Sequence, residues 1–467
     1  MITFIICLLL LVGAYFTYGK YVEKLFGADK NREVPSKTCY DGVDYIPMPA
    51  WKTFLIQLLN IAGLGPIFGA ILGAMYGPVA FLWITFGGIF MGAVHDYFSG
   101  MISIENKGLS YPEIIGKYLG VSVKQFMRWF SIVLMVLVGA VFLTGPAGLL
   151  AGMTGWNLTT WLLIILAYYI VATLLPIDKI IGRIYPIFGA ALLIMAFGLF
   201  GALIFGDYSI PEMSLENMHT NKEALPIFPT LFITIACGAL SGFHATQSPL
   251  MARCMTNEKQ GRPIFYGAMI SESIIALIWA AIAMAFFGGV EALNTQLLEH
   301  GSNAAWAVDV ISKTTLGKIG GILALLGVVA APISTGDTAF RCARMIVADM
   351  FKISQKNLAK RIYICVPLFV IGFYLTQIDF AIIWRYFAWV NQTFAVVTLW
   401  AITVYLYKNS KNYFITLLPA LFMTFITSAF LFSNAIMLSL PIDVSYFLAT
   451  ALTEVILILV KIIYLKK

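Results

Sequence analysis

Seven ionisable side chains fall inside long apolar stretches of this 467-residue sequence. Charged groups are costly in a bilayer, and those that remain there usually have a function. Histidine titrates near neutral pH and can relay a proton or pair with a carboxylate, and a buried carboxyl group can carry a proton. The residue types therefore indicate proton or anion handling within a membrane. The seven residues are His95, Asp96, His244, Glu272, Asp337, Arg385 and Glu454.

These groups are not equivalent in position. His244 is predicted to contact a substrate or relay a proton, with a hydrogen bond that holds its helix as the alternative. Glu272 lies about nine residues into its apolar run and is the leading proton carrier if the coupling ion is H⁺. His95 and Asp96 are expected at the inner end of their run, as a gating pair or a helix-end hydrogen bond. Glu454 lies near the carboxyl terminus and is assigned no transport role.

Charged residues also lie near the ends of two later runs. Asp337 and Arg341 are four residues apart, so they share a helix face and are expected to pair. We interpret them, with Arg344, as a gate or anchor near the inner surface. Arg385 lies near the outer end of its run and is expected to pair with Asp379.

The elements that must position these groups are membrane helices. Hydrophobic residues make up 60% of the chain and charged residues 11%, with a mean hydropathy of +0.88; globular domains carry about 25% charged residues. The net charge of +7 does not indicate nucleic-acid binding, because the basic residues sit at run ends. Thirteen apolar runs have spanning length. They fall at 2–18, 52–75, 78–104, 124–150, 158–176, 186–205, 227–250, 263–289, 318–347, 360–377, 380–407, 411–432 and 444–464.

The lysines and arginines predict the orientation of these spans. If the amino terminus is outside, 26 of the 30 basic residues fall in inside segments, and only Lys222, Lys313 and Lys318 fall in outside loops. Positive charge accumulates on the cytoplasmic side of membrane proteins. We therefore predict an outside amino terminus and a cytoplasmic carboxyl terminus, and we interpret the first run as a membrane helix, not a signal peptide.

The run at 52–75 contains Gly63, Gly65 and Pro66 near its middle. Proline removes an amide donor and clashes with the carbonyl four residues earlier, which interrupts a helix. Unpaired backbone at this depth is tolerated only when it is buried in protein or lines a polar cavity. We predict a discontinuous helix with an unwound centre that binds a ligand, with close helix packing as the alternative role of the glycines.

The run at 227–250 is interrupted at the same relative position, by Gly238, Ser241 and Gly242. The two interrupted runs begin 175 residues apart, and each opens a group of five runs. Because five is odd, the second group must be inverted, and paired interrupted helices in two halves indicate a transporter's binding site. Amides exposed where a helix restarts can bind an anionic group without a basic side chain.

These features give an explicit set of predicted regions and contacts. The regions are an amino-terminal helix and inner loop (1–51), a first five-helix repeat (52–205), an outer loop (206–226), an inverted repeat (227–407) and two further helices (408–467). Asn391 and Gln392 are expected to reach the central cavity. The predicted substrate contacts are Gln57, Asn60, Gly63, Gly65, Gly238, Ser241, Gly242 and His244.

Several motifs in this order carry a resemblance to a known family. They are DGVDYIP (41–47), IAGLGPIFGA (61–70), GAVHDYFSGMIS (92–103), ACGALSGFHATQS (236–248), YGAM (266–269) followed by Glu272, STGDTAFR (334–341) and WRYFAWVNQ (384–392). Together they resemble the carbon starvation protein A family over residues 1–440. The resemblance implies a LeuT-type five-plus-five inverted repeat in a bacterial inner membrane, and ion-coupled uptake of pyruvate or, in older descriptions, of peptides.

The resemblance also implies where a coupling ion would bind. In LeuT-type folds a hydroxyl pair joins carbonyls of the first broken helix around sodium, which here implies Ser334, Thr335 and the carbonyl of Ala62. Hard cations of this kind prefer oxygen ligands. The alternative is that both hydroxyls bond to their own helix. The family's best-known activities are proton-coupled, so both H⁺ and Na⁺ remain open.

The function that these observations predict is secondary transport by alternating access. Pyruvate or a related small carboxylate is the first substrate and short peptides the second; no cofactor or nucleic-acid partner is expected, and lipid surrounds the chain. The six cysteines show no metal-ligand spacing and are interpreted as small hydrophobic residues. An intramembrane enzyme and a channel are the rival classes, but no HExxH, GxSxG, Walker or dinucleotide motif supports an enzyme.

Overall fold

The computed structural model is all helical over the residues that it describes, which are 1–175, 181–378 and 380–465. Helices satisfy their own backbone hydrogen bonds, which is the requirement for a chain of this composition in lipid. The helices are α1 (Ile2–Phe26), α2 (Ala50–Ile61), α3 (Gly65–Ala74), α4 (Val79–Glu105), α5 (Tyr111–Thr154), α6 (Leu158–Leu174), α7 (Ile181–Phe205), α8 (Ile227–Leu231, continued by Phe232–Thr234), α9 (Gly242–Ala252), α10 (Glu258–Phe286), α11 (Val290–Glu299), α12 (Ala304–Ala324), α13 (Ala330–Phe351), α14 (Leu358–Leu375), α15 (Phe380–Lys408), α16 (Phe414–Ser433) and α17 (Ile442–Ile463).

Both interrupted runs are broken where the sequence predicts. Helices α2 and α3 form the first broken helix, with an unwound centre at Ala62–Leu64 and a bend of 55°. Helices α8 and α9 form the second broken helix, which is unwound over Ile235–Ser241. Gly63 and Gly238 lie within these unwound centres, while Gly65 and Pro66 open the first turn of α3, where a proline is tolerated.

Fewer spans than the thirteen predicted are found when the described helices are counted by length and hydropathy alone. Among the described residues nine helices are long and apolar enough to cross a membrane, and the first broken helix makes ten. Helix α6 has 17 residues, the second broken helix is fragmented, and α13 is rich in polar residues. The predicted count of thirteen stays a prediction for these three elements.

Helix α13 is the polar centre of the bundle. It packs along α5 and contacts both α2 and α9. Its hydroxyl side chains and the charged side chains of Asp337, Arg341 and Arg344 are buried, and only Asp349 near its end is partly exposed. Buried polar side chains need partners, so this helix positions groups from several neighbours. Helix α17, in contrast, lies at the periphery, and Glu454 on it is exposed and apart from the central helices.

The segment between α1 and α2 folds against the end of α9 and the start of α10. The Met48 amide donates to the Cys254 carbonyl at 2.9 Å. Arg32 pairs with the buried Glu258 at 3.1 Å. These contacts hold residues 27–49 over the ends of α9 and α10, so the first broken helix begins from a fixed position.

Candidate functional site

The second break is closed by a side chain of α15. Asn391 Oδ1 accepts hydrogen bonds from the Phe243 amide at 2.6 Å and from Ser241 Oγ at 3.2 Å. A Cβ on Gly242 would overlap the α15 backbone at Asn391, so this approach requires glycine. The sequence predicts that the backbone amides where this helix begins again bind an anion. In the structure the Phe243 amide donates to Asn391 instead, because α9 and α15 are in contact here.

A cluster of four buried titratable groups lies beside this break. Asp96 on α4 contacts two histidines: its Oδ1 lies 2.8 Å from His95 Nδ1, and its Oδ2 lies 2.8 Å from His244 Nδ1. On the other side of His244, Nε2 lies 3.5 Å from Glu272 Oε2 without forming a hydrogen bond. All four side chains are fully buried. We call this group the carboxylate–histidine cluster.

The cluster can hold and move protons. Asp96 and Glu272 lie on opposite sides of the His244 ring, which has one nitrogen directed to each. Asp96 is bonded on both oxygens, whereas neither oxygen of Glu272 has a hydrogen-bond partner among the described residues. An unpaired carboxylate in such surroundings becomes neutral by taking up a proton. The arrangement therefore contains one supported anion, one proton-accepting acid and an imidazole between them.

His95 and Asp96 do not lie at the end of their helix. Asp96 is within α4, nine residues before its last residue Glu105, and both side chains are fully buried. The expected helix-end location is therefore wrong, because α4 continues for nine residues beyond Asp96. Asp96 contacts His244 from this internal position. The gating role assigned to the pair stays a prediction.

The first break differs because its amide side chains have no partners. All four amide atoms of Gln57 and Asn60 are buried without a hydrogen bond to any described residue. The two residues are three apart on α2, so they occupy neighbouring positions on one face. A buried amide without partners is costly, and such groups in native proteins normally meet a ligand or water. These side chains can therefore bind a small polar solute.

The two breaks contact each other through glycine. A Cβ on Gly65 would overlap the Cys237 side chain in the second break. A Cβ on Gly63 would come within 2.8 Å of Phe142 and 3.1 Å of Thr335 Oγ1. A Cβ on Gly238 would likewise come within 2.5 Å of the Ala276 Cβ of α10. The close-packing role considered for these glycines is therefore present, and it brings the two unwound centres together.

Of the predicted sodium residues, Thr335 is the one that forms a hydrogen bond to the first broken helix among the described residues. Thr335 Oγ1 donates to the Leu59 carbonyl of α2 at 3.1 Å and to the Ala331 carbonyl of its own helix at 3.0 Å. Ser334 Oγ bonds only within its helix, to Ala331 O at 2.6 Å. Ala62 lies in the unwound centre. The hydroxyls thus make the helix-internal bonds of the alternative interpretation, and Thr335 additionally ties α13 to α2.

The expected Asp337–Arg341 pair is wrong. Asp337 accepts hydrogen bonds from Thr173 at 3.0 Å and Tyr185 at 2.5 Å. Arg341 instead donates to Asp44 at 3.0 Å, across 297 positions of sequence. The long side chain of Arg341 reaches a carboxylate outside its own helix, and its guanidinium forms a charge-assisted hydrogen bond there. Asp337 is satisfied by neutral hydroxyl donors.

Asp44 is the charged partner of α13 that sequence reasoning missed. It lies in the segment before α2 and receives hydrogen bonds from Arg341 and from Arg344, the latter at 3.1 Å to each oxygen. Burial by itself raises the pKa of Asp44, but Arg344, Arg341 and Arg253 together outweigh burial and hold the pKa well below its usual range. The available signal was the position of Asp44 within the DGVDYIP motif (41–47), which does not reveal its partners.

Two further positions complete the description of the predicted residues. The predicted Arg385 partner, Asp379, lies outside the described residues. Cys237 places its Sγ within 4.8 Å of donor atoms of His244 and Glu272, a spacing that the cysteine pattern in the sequence did not reveal. Cys237 Sγ is already hydrogen bonded to Ser241 Oγ at 3.6 Å, so we assign no metal to this cluster.

Comparison with known families decides the class of protein. The sequence model described as carbon starvation protein CstA matches residues 1–151 and 144–319. The chain belongs to the carbon starvation protein CstA family. The resemblance carried by the motifs is therefore confirmed, and the matched region includes both breaks and the carboxylate–histidine cluster.

Relatives within the family carry transporter names. A Haemophilus influenzae membrane protein is 46% identical, over 63% of this chain and 93% of that protein. A Bacillus subtilis protein named peptide transporter CstA is 26% identical, over 90% of this chain and 87% of that protein. An Escherichia coli protein named pyruvate/proton symporter BtsT is 28% identical, over 60% of this chain. The match spans about half the length of BtsT, 49%.

A solved structure supports the fold. The crystal structure of MhsT in complex with L-phenylalanine is 13% identical, covers 87% of this chain and 97% of that chain, and gives a TM-score of 0.56. At this identity the likeness concerns the fold alone. The all-α, LeuT-type fold class implied by the family resemblance is confirmed.

Proposed function

We propose that this CstA-family protein imports a small carboxylate solute, with pyruvate as the first candidate, by proton-coupled alternating access. The observation that carries the proposal is the meeting of two unlike unwound centres. One presents the partnerless amides of Gln57 and Asn60, and the other borders the carboxylate–histidine cluster. A carrier that couples a solute to a proton requires a site for each, close enough to influence one another.

In the proposed mechanism the first break binds the solute. Gln57 and Asn60 donate hydrogen bonds to the solute's oxygens, and the unwound backbone at Ala62–Leu64 offers further polar groups. Solute binding gives these amides the partners that the protein itself does not provide. Binding thereby stabilises the conformation in which both breaks are closed around the solute.

The second break carries the proton. Glu272 takes up a proton from the outer side, and His244 links it to Asp96, whose negative charge His95 and His244 support. Protonation removes a buried negative charge beside Cys237, which in turn packs against Gly65 of the first break. The proton therefore changes the electrostatics at the junction of the two breaks, and this is the coupling step.

The names of relatives favour a proton-coupled carboxylate over other cargo. The Escherichia coli relative is named a pyruvate/proton symporter, while the Bacillus subtilis relative is named a peptide transporter. Short peptides are therefore the second candidate substrate. We place the protein in the bacterial inner membrane with an outside amino terminus, on the distribution of its lysines and arginines. An enzyme is disfavoured because the relatives with functional names are transporters.

Sodium is the second candidate coupling ion, because of one specific contact. Thr335 Oγ1 reaches the Leu59 carbonyl across the helix interface, which brings hydroxyl and carbonyl oxygens together. Oxygen-rich sites of this kind suit hard cations. Ser334 and Ala62 are the other residues proposed for such a site.

Uptake into proteoliposomes tests the proposal. Labelled pyruvate and a labelled dipeptide are offered with a proton gradient or a sodium gradient imposed separately. We expect pyruvate to accumulate under an inward proton gradient and to stay at equilibrium under a sodium gradient alone. Accumulation of the dipeptide but not of pyruvate would reject the substrate, and accumulation driven only by sodium would reject the coupling ion.

A further inference from the structure

A cavity of about 650 Å³ opens near the outer ends of several helices, apart from the two breaks. Its lining includes Phe68 of α3, Gly145 of α5, Ser302 in the loop before α12, and Trp384 and Arg385 of α15. With the amino terminus outside, each of these positions falls in the outer part of the chain's path. Cavities of about 300–1,000 Å³ accept small-molecule ligands. We call this cavity the outer vestibule.

Arg385 gives the outer vestibule a positive charge, and it also lines an adjoining cavity that includes Glu223. The ionisable lining residues of the outer vestibule itself are Arg385 and His300, and no carboxylate is among the lining. Arg385 is exposed and forms no ion pair with any described residue. The nearby Asp309 is paired with Lys313 at 2.8 Å. His300 Nδ1 bonds to the Gln296 carbonyl at 2.9 Å.

The vestibule leads toward the first break. Arg385 and Asn391 are six residues apart on α15, which corresponds to about 9 Å along a helix axis. Between these levels, Phe142 packs with Phe243 and Phe387 at ring-centroid distances of 6.4 Å and 6.0 Å. Phe142 also borders Gly63. The three rings therefore form an aromatic layer that borders the first break and lies within two residues of Arg385 along α15.

We infer that Arg385 makes the outer vestibule a capture site for small organic carboxylates, where the guanidinium binds the solute's carboxylate before the aromatic layer opens. This inference rests on the proposed function, and it selects an anionic solute over a neutral or zwitterionic one. A guanidinium offers paired donors that match the two oxygens of a carboxylate. A charged funnel of this kind raises the local concentration of oppositely charged solute.

A labelling experiment tests the capture site without requiring transport. Ser302 lines the vestibule and is exposed, so Ser302→Cys supplies a reporter thiol there. Cys39→Ser removes the native cysteine that is not buried. The full-length chain in right-side-out vesicles is labelled with an anionic (sulfonatoethyl) and a cationic (trimethylammonioethyl) methanethiosulfonate. The ratio of the two labelling rates reports the local potential in the Arg385 and Arg385→Gln backgrounds.

We expect Arg385→Gln to lower the anionic-to-cationic rate ratio by about tenfold at low ionic strength, with a smaller change at high salt. Lys222→Gln removes another exposed outer cation that does not line the vestibule, and it should leave the ratio unchanged. Added pyruvate should slow labelling only when Arg385 is present, whereas pyruvamide, its neutral analogue, should not.

Two results would overturn the inference. One is an unchanged rate ratio in Arg385→Gln, and the other is labelling that pyruvate does not slow in the Arg385 background. Uptake by the unmodified protein is measured separately. Normal proton-driven uptake together with either negative result would reject the capture site and leave the proposed function intact, whereas capture without any uptake would reject the proposed function instead.

Discussion

The two broken helices share a design but differ in how their polar groups are satisfied. In the first break, Gln57 and Asn60 have no partners among the described residues. In the second, Asn391 holds the restarted helix and His244 Nδ1 is bonded to Asp96, and the atoms left without a partner, His244 Nε2 and the Glu272 oxygens, belong to titratable groups. A buried amide without a partner needs a ligand or water, whereas a buried carboxyl group without one can become neutral by taking up a proton. The difference supports the proposal that the first break binds the solute and the second break carries the proton.

Glu272→Gln gives the largest expected effect on this comparison. The amide keeps the shape of the side chain but cannot take up and release a proton, so proton-driven accumulation of pyruvate should be lost. Exchange of internal for external pyruvate should continue, because the first break is unchanged. Accumulation and exchange are measured in the same proteoliposomes.

The matched control is Glu454→Gln, on the exposed side of α17 and outside the cluster. It should accumulate pyruvate like the unmodified protein. If Glu272→Gln still accumulated pyruvate against a gradient, the proton would have to be carried elsewhere, and the division between the two breaks would fail.

Asp44→Asn tests the buried ion pairs between the segment before α2 and the arginines of α13. Removal of one partner from a buried charge pair costs about 3–5 kcal/mol, because the arginines lose their counter-charge. The melting temperature in detergent should fall markedly. Asp41→Asn is a suitable control, because Asp41 bonds only to backbone amides of its own loop.

The same carboxylate predicts a pH dependence of stability. The pKa of Asp44 is depressed in the folded protein, so its stabilisation is fully present above the unfolded value of about 3.9 and is lost as the pH falls toward the folded value. The difference in melting temperature between the native chain and Asp44→Asn should therefore be constant near neutrality and shrink below about pH 4. A difference that grew on acidification would contradict the assignment.

Asn60→Ala and Asn391→Ala remove the same functional group from opposite breaks. Asn60→Ala should raise the KM for pyruvate by about tenfold, which corresponds to one lost hydrogen bond of about 1.4 kcal/mol, with little change in melting temperature. Asn391→Ala should instead lower the melting temperature, because the Phe243 amide and Ser241 hydroxyl would lose a buried partner. Uptake kinetics and thermal unfolding are measured for both variants. The opposite pattern would exchange the roles of the two breaks.

Thr335→Val gives the smallest expected effect. It removes the hydrogen bonds to Leu59 and Ala331, worth about 1 kcal/mol, while preserving shape. Under proton coupling, uptake should fall only modestly and remain independent of Na⁺. Uptake that requires Na⁺ in the native chain and loses this requirement in Thr335→Val would establish sodium at the first break.

The sequence predicts where both helices are broken, but it does not predict which distant residues contact the breaks. Gly63, Gly65 and Pro66 predict an interruption because their effect on a helix is local. In contrast, His244 and Asp96 are 148 residues apart, and Arg341 and Asp44 are separated by 297. Which helices face one another depends on the packing of the whole bundle, which periodicity does not encode.

The same limit explains the two corrections. Arg341 was expected to pair with Asp337 because a four-residue spacing is the only neighbour relation that a helix sequence provides. Asp96 was expected at the inner end of its run, but α4 continues for nine residues beyond it. Both Asp96 and Arg341 have partners in distant segments of the chain. The family motifs identified the important residues without stating what they contact.

The ratio of protons to pyruvate transported distinguishes a proton site from a solute site. It is measured from alkalinisation of the medium and uptake of label in lightly buffered proteoliposomes. We expect a fixed ratio in the native chain, the same ratio at lower flux in Asn60→Ala, and a proton flux near zero with continuing pyruvate exchange in Glu272→Gln. A ratio that changes in Asn60→Ala, or that persists in Glu272→Gln, would contradict the assignment of solute and proton to separate breaks.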